Sequence, residues 1–250
     1  MAGTKRTTLV LQERDLGLLE ALETMRVIDR QQARVVAGFG SITRANARLL
    51  ALTRAGFLKR AFVGSRQAVY WLPNKPLQDQ GPKSEAQGAE PAALFLRHQM
   101  EINRVHLVVQ YSGIPARGWW FGKWQSFQKP LSVTVPLIPD GYFEIGSQQG
   151  FRPAFVEVDL GTEASLIVAK KASLYLQLAA SGEFAQIFGR SQFRVLVITT
   201  SSRRLENLRG AVAKLTDKIF WFATLDMVST ERFWSTAWLR PSGDQLNSFL

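Results

Sequence analysis

The chain of 250 residues contains no cysteine and only two histidines, His98 and His106. Disulfides and thiolate zinc sites are thereby excluded, and a histidine triad or histidine-based zinc site has little to draw on. Long apolar runs are also missing. None approaches the roughly 18 residues that a membrane span needs, and the opening Met1, Ala2, Gly3, Thr4, Lys5, Arg6 leads into no secretory apolar stretch. These absences make the cytoplasm the expected compartment and leave no membrane partner. Acid is scarce too, with 20 Asp and Glu against 31 Lys and Arg, a net charge of +11. Any catalysis must come from carboxylates, and an anionic partner is expected.

What is present supports folding. Hydrophobic residues make up 46% of the chain and charged ones only 20%, ample material for a packed core in one large domain or two smaller ones. The positive excess is concentrated near the start, where residues 1–75 hold 13 Lys and Arg against 5 acids, while residues 76–250 hold 18 against 15. Such an imbalance on a small domain points to nucleic acid, although a basic excess can also serve solubility alone. Residues 76–91 are rich in Pro, Gly and Gln with few apolar side chains, the composition of a flexible connector. The boundary is therefore placed there, with domains at residues 1–75 and 92–250.

The first segment reads as three helices and a two-stranded ribbon. Leu18, Leu19, Leu22 and Met25 recur at helical spacing within residues 12–26. Asp29, with Gln32 three positions on, opens a short second helix that ends near Gly38, and Ser41 caps a third whose Ala45, Leu49 and Leu52 share a face. Gly56 stops that helix, and residues 57–63 and 67–72 alternate like strands around Gly64, Ser65 and Arg66. This pattern predicts a winged helix-turn-helix whose third helix enters the major groove of double-stranded DNA. Thr43, Arg44, Asn46 and Ala47 are the candidates for base edges, with Arg48, Arg54, Lys59 and Arg60 for phosphates and Arg66 at the wing tip. The bland alternative is a solvated helix face on a module that contacts protein.

Beyond residue 91 the pattern predicts mixed α/β structure: a helix over 91–110, strands at 119–124, 131–137, 142–145 and 154–160, a helix over 162–179, a strand at 194–200, a helix over 202–215 and a strand at 220–227. A mixed central sheet flanked by helices follows. Asp140 stands in a turn sequence, Ile138-Pro139-Asp140-Gly141, before one strand, and Glu157 and Asp159 interrupt another that is otherwise apolar on both faces. Period-2 geometry puts Glu157 and Asp159 on one side of their strand, and pairing with the strand after Asp140 would bring the third acid to them. Clustered carboxylates repel unless a cation joins them, and Mg2+ or Mn2+ suits such a set. Lys171 on the next helix, with Lys170 as a substitute, could steady the phosphate being cleaved. The competing reading makes Asp140 a turn former and pairs Glu157 and Asp159 with Arg152, Lys170 or Lys171 as structural ion pairs. A Lys171 turned away, with Arg152 filling the pocket, would favour that reading. The aromatic tail, residues 233–250 with Trp234, Trp238 and Phe249, suits packing either on its own sheet or on another subunit of a homodimer.

Three stretches carry a resemblance to a known family: residues 11–22, residues 47–58 with Val69-Tyr70-Trp71-Leu72, and above all Pro139-Asp140-Gly141-Tyr142-Phe143 with Glu157-Val158-Asp159-Leu160-Gly161-Thr162-Glu163 and the run from Lys171 to Tyr175. Together they resemble the replication-relaxation family over roughly residues 11–240. The resemblance implies a protein of plasmids or other mobile elements, acting on DNA and working with replication, transfer or recombination proteins. It also implies a winged helix joined to a mixed-sheet, restriction-endonuclease-like domain of the PD-(D/E)XK type, with Asp140 and Glu157 in the acidic positions. One departure stands out: active nucleases of that type carry acid-x-Lys on the strand, whereas this chain has Glu157-Val158-Asp159, so the lysine must come from the helix. Two functions remain open, a non-catalytic DNA-binding regulator and a metal-dependent endonuclease or nickase using Asp140, Glu157, Asp159 and Lys171.

Overall fold

A computed structural model describes residues 9–64, 67–74, 89–161 and 164–250. The chain forms two compact units that divide between Asn103 and Arg104. In the first, α1 (Glu13–Met25) leads through β1 (Ile28–Asp29) to α2 (Arg30–Val36), α3 (Ile42–Arg54) and the hairpin of β2 (Lys59–Val63) and β3 (Gln67–Trp71). Local chemistry fixes each start. The Asp29 carboxylate accepts the N–H groups of Gln31 and Gln32, and the Ser41 hydroxyl accepts that of Arg44. Gly56, at φ +85°, supplies the left-handed residue after α3. Leu18, Leu22, Met25, Ala45, Leu49 and Leu52 are all fully buried, as their helical spacing requires. Three helices followed by a hairpin is the order the sequence predicts, with β1 added to the hairpin as a third strand, paired to β3.

The next helix, α4 (Ala89–Gln110), crosses the division. Its Leu96 and Met100 pack with Val27, Val63 and Val69, and the Asn103 amide donates to the carbonyls of Met25 and Val27 at 3.1 and 2.6 Å. Those contacts attach residues 96–103 to the first unit, whereas the sequence reading opened the second at residue 92. The connector expected at residues 76–91 lies almost wholly outside the described residues, as does Arg66.

The second unit continues with β4 (Trp120–Gln125), β5 (Gly141–Ser147), β6 (Gly150–Asp159), α5 (Ser165–Ala180), α6 (Glu183–Phe188), β7 (Arg194–Thr199), α7 (Ser202–Ala213), β8 (Phe220–Thr224), β9 (Thr236–Trp238) and β10 (Asn247–Ser248). The mixed five-stranded sheet has the order β4-β5-β6-β7-β8, antiparallel as far as β6 and parallel from β6 to β8. Each parallel step needs a crossover, which α5 with α6 and then α7 supply. The fold is thus mixed α/β, with seven α-helices among the described residues. One sheet face builds a core of Tyr142, Phe155, Val197 and Phe222 against Tyr175, Phe184, Phe188, Leu205 and Leu208 from the helices.

Three stretches here differ from the elements the sequence predicts. Residues 131–137 form no strand but an irregular loop between Pro130 and Pro136, in which Val133 is 98% exposed and the hydroxyls of Ser132 and Thr134 donate to the Glu183 carboxylate. Proline withholds the N–H that a ladder needs. The short α6 was not foreseen, and the last strand stops at Thr224, giving way to a 3-10 turn at Leu225–Met227. The tail packs on its own sheet: Phe233, Trp234, Trp238 and Phe249 are at most 1% exposed, and the Phe249 ring lies 5.6 Å from that of Phe143 on β5.

Candidate functional site

The second unit gathers its acids at one end of β6. This strand is central, hydrogen-bonded to β5 on one side and β7 on the other, and all its residues from Ala154 to Asp159 are buried. Side-chain alternation points Phe155, Glu157 and Asp159 toward the helices. Asp140 directly precedes β5, and its carboxylate accepts the backbone N–H of Val158 at 2.7 Å, which fixes that turn against β6. The adjoining loop is therefore anchored by the acid the sequence singled out.

Glu157 is 7% exposed and fully engaged. One carboxylate oxygen accepts the Tyr175 hydroxyl at 2.6 Å and the other the Lys171 ammonium at 3.0 Å. Lys171 and Tyr175 are four residues apart on α5, one above the other on the face turned to the sheet. Burial drives the Glu157 carboxyl upward, to about 7; Asp140 pushes the same way, while Lys171 and the Tyr175 hydroxyl oppose the rise. Burial and the neighbouring Glu157 together raise the Tyr175 phenol well above its ordinary value, so it stays a proton donor. The side chains around Glu157 enclose a cavity of about 20 Å3, room for about one water molecule.

Asp159 belongs to a different group. Its carboxylate is clamped by the Arg204 guanidinium at 2.7 and 3.0 Å and accepts the Thr199 hydroxyl at 3.0 Å. Asp140, Glu157 and Lys171 are thus brought together, while Asp159, expected beside them as catalyst and metal ligand, is held by a cation of its own. Lys170 is exposed on α5, and Arg152 is occupied elsewhere, donating to the Phe249 carbonyl at 2.7 Å. Among the described residues no group of three or more His, Asp or Glu side chains could hold a metal ion. Asp140 and Glu157 are the two carboxylates that meet here, and their repulsion in a buried setting is part of what raises the Glu157 carboxyl.

The third buried acid of the sheet, Glu144, is held by cations in the same way. It accepts the Tyr142 hydroxyl at 2.7 Å and is neutralised by Arg190 at 2.7 Å and Lys123 at 3.0 Å. Burial alone would raise its carboxyl, yet these donors hold it below the usual range. His106 is packed against Trp124, ring centroids 4.3 Å apart, and burial lowers it to about 4. It is a neutral packing group.

In the first unit, α3 presents Thr43, Arg44 and Ala47 to solvent, and Arg54, Lys59 and Arg60 are exposed as well. Arg60 lies over the Phe62 ring at 4.5 Å, with Phe62 itself 56% exposed on β2. Asn46 is half-buried, with the Tyr70 hydroxyl donating weakly to its side-chain oxygen at 3.5 Å. Arg48, expected on a phosphate, is committed internally: it forms an ion pair with the fully buried Asp15 and donates to the Val10 carbonyl at 2.7 Å. A buried carboxylate claims the nearest guanidinium because leaving it unpaired is costly. Beside α3 lies a surface depression of about 340 Å3 lined by Gln12, Arg14, Phe39, Arg44, Ala47, Arg48 and Ala51.

Sequence reasoning named Lys171 and Tyr175 but missed Arg204, the partner of Asp159. No short-range signal marks it, since 45 residues separate the two.

A model of the replication-relaxation family matches residues 19–190, well over half of the chain and including Asp140, Glu157, Asp159, Lys171 and α3. No curated protein matches. Among solved structures, restriction endonuclease FokI is similar at a TM-score of 0.34 and 12% identity, over 91% of this chain and 45% of that one. The chain thus spans less than half the length of that protein, and a likeness this weak carries no argument about chemistry.

Proposed function

The chain belongs to the replication-relaxation family, and from that membership we propose that it is a DNA-binding protein of a plasmid or other mobile element, controlling replication, relaxation or transfer. The observation that carries this reading is the exposed basic surface of the first unit: Arg44 on α3, Arg54 at its end, and Lys59 and Arg60 on β2, with no acid of α3 among them. A helix of that character offers cations to phosphates and Thr43 and Arg44 to base edges. Double-stranded DNA is the ligand, and other replication, transfer or recombination proteins are the natural company of such a regulator. The test is duplex affinity as a function of salt for Arg44→Gln, Arg54→Gln and Arg60→Gln combined. Removing one phosphate-binding cation makes the fall of log K with log salt shallower by roughly 0.9. An unchanged slope and affinity would sink the assignment.

The site in the second unit supports a further reading, cleavage of the bound DNA as an endonuclease or nickase of PD-(D/E)XK type. Lys171 favours it, since its ammonium reaches Glu157 from the helix and supplies the cation that the strand itself lacks. Asp140 and Glu157 would hold Mg2+ or Mn2+, which would supply Lewis acidity toward a phosphodiester. Lys171 would steady charge on a phosphate oxygen, and Tyr175 would keep Glu157 oriented. Incubation of supercoiled, linear and single-stranded DNA with either metal, alongside Asp140→Ala, separates the two readings. Cleavage by the parent and not by Asp140→Ala establishes the nuclease; cleavage by neither leaves a DNA-binding protein without this activity.

A further inference from the structure

On the face of the sheet opposite α5 and α7, three arginines from distant parts of the second unit converge, none of them ion-paired among the described residues. Arg152 lies on β6, Arg194 opens β7 and Arg240 follows β9. The guanidiniums of Arg152 and Arg194 both donate to one acceptor, the Phe249 carbonyl, at 2.7 and 2.9 Å. Arg194 lies over the Trp221 ring at 4.4 Å, and Arg240 lies over the same ring at 5.4 Å. Arg240 donates to the Asp217 carbonyl at 2.8 Å, and Arg152 lies over Trp119 at 4.6 Å. All three are half-buried. Among the described residues none of the three forms an ion pair, in contrast to Arg48, Arg190, Arg204 and Arg209.

That arrangement is electrostatically incomplete. Each guanidinium carries five N–H donors, and neutral carbonyls and ring faces neither use them all nor cancel the charge. Burial, then Arg152 and Arg240 as like charges, depress Arg194 to about 10. A further donor is also unused: the indole N–H of Trp221, buried beneath two of the cations, has no acceptor among the described residues. Donors and positive charge are therefore in excess at one place, and an anionic acceptor is what they lack. We propose that Arg152, Arg194 and Arg240, over Trp221, form a binding site for a phosphate group in its dianionic form. Guanidinium forks match phosphate oxygens, and several fixed cations suit a doubly charged group better than the single charge of a carboxylate or an internal phosphodiester. Free inorganic phosphate and the terminal phosphate of a DNA strand share that chemistry. The site stands apart from the reading of α3 and of Glu157, so its failure would leave both untouched.

The test uses the full chain and the variants Arg194→Gln and Arg240→Gln, the second because it leaves the Phe249 carbonyl its two donors. Titration with inorganic phosphate at constant ionic strength, against chloride, is expected to raise the melting temperature of the parent. Arg240→Gln is expected to weaken phosphate at least about tenfold, the loss of one charge-assisted hydrogen bond, while melting no lower than the parent in chloride because a repelling charge has gone. A merely structural role would instead lower its melting temperature in both buffers. Equal phosphate response in parent and Arg240→Gln, or none in the parent, overturns the proposal. Oligonucleotides with a 5′-phosphate or a 5′-hydroxyl then identify the source. A preference for the phosphorylated strand that disappears in Arg240→Gln assigns a DNA end, and equal binding alongside a retained phosphate response assigns free phosphate.

Discussion

Replacing Glu157 by glutamine tests the electrostatics of the candidate site without touching DNA. The carboxyl moves from 4.5 to about 7 on folding, chiefly because burial disfavours its charge. Its folded value lies above its unfolded one, so the folded chain holds a proton that the unfolded chain has released in the window between them. Stability from this group is therefore greatest below about 4.5 and falls as pH rises through about 7. A displacement of that size corresponds to about 3 kcal/mol between the two ends of the window. Glu157→Gln does not titrate, and its amide oxygen can still accept the Tyr175 hydroxyl. The parent should thus lose about 3 kcal/mol more than Glu157→Gln between pH 5 and pH 8, measured by urea unfolding followed by tryptophan fluorescence. That signal reports the second unit, since every tryptophan except Trp71 lies there. Lys171→Met should move the loss to higher pH, because the ammonium is the charge that opposes the rise. Parallel pH profiles for the parent and Glu157→Gln would refute the account.

Two further substitutions probe the scaffold. Arg48→Met strands the fully buried carboxylate of Asp15 and should cost about 3 kcal/mol in the stability of the first unit by urea denaturation, while Arg44→Gln stays within about 0.5 kcal/mol; equal effects would mean that the ion pair does not matter. Gly141→Ala places a Cβ 2.5 Å from the Trp124 ring at the start of β5, and a shift of that ring should cost about 1–3 kcal/mol in thermal unfolding, whereas an unchanged melting temperature would show that the strand opening yields freely.

Much of the architecture could be read directly because it rests on local signals. Asp29 and Ser41 cap the helices they were expected to cap, and Gly56 ends α3. Glu157 and Asp159 drew attention because two charges on an otherwise apolar strand require partners, and each has one. The identity of those partners was only half legible. Lys171 sits one element along, within reach of helical spacing, but Arg204 comes from beyond the next strand, and only the parallel register of β6 and β7 brings it to Asp159. The internal pairing of Arg48 was hidden for a similar reason: nothing local to α3 reveals that Asp15, 33 residues earlier, is buried beneath it. The strand expected at 131–137 was read from apolar content, and Pro130 and Pro136 were the signals that should have weighed against it.

The tail that closes the sheet has a consequence for how the protein is made. Phe249 meets Phe143 on β5 and takes the guanidinium of Arg152 across 97 residues of sequence. Until that phenylalanine has left the ribosome, the surface around Phe143 and Trp221 stands open in the growing chain, apolar and unfinished. Contacts so far apart in sequence close slowly. Phe249 thus joins the sheet late, and its loss would uncover the rings of Phe143 and Trp221 against which it packs, an apolar surface open to association.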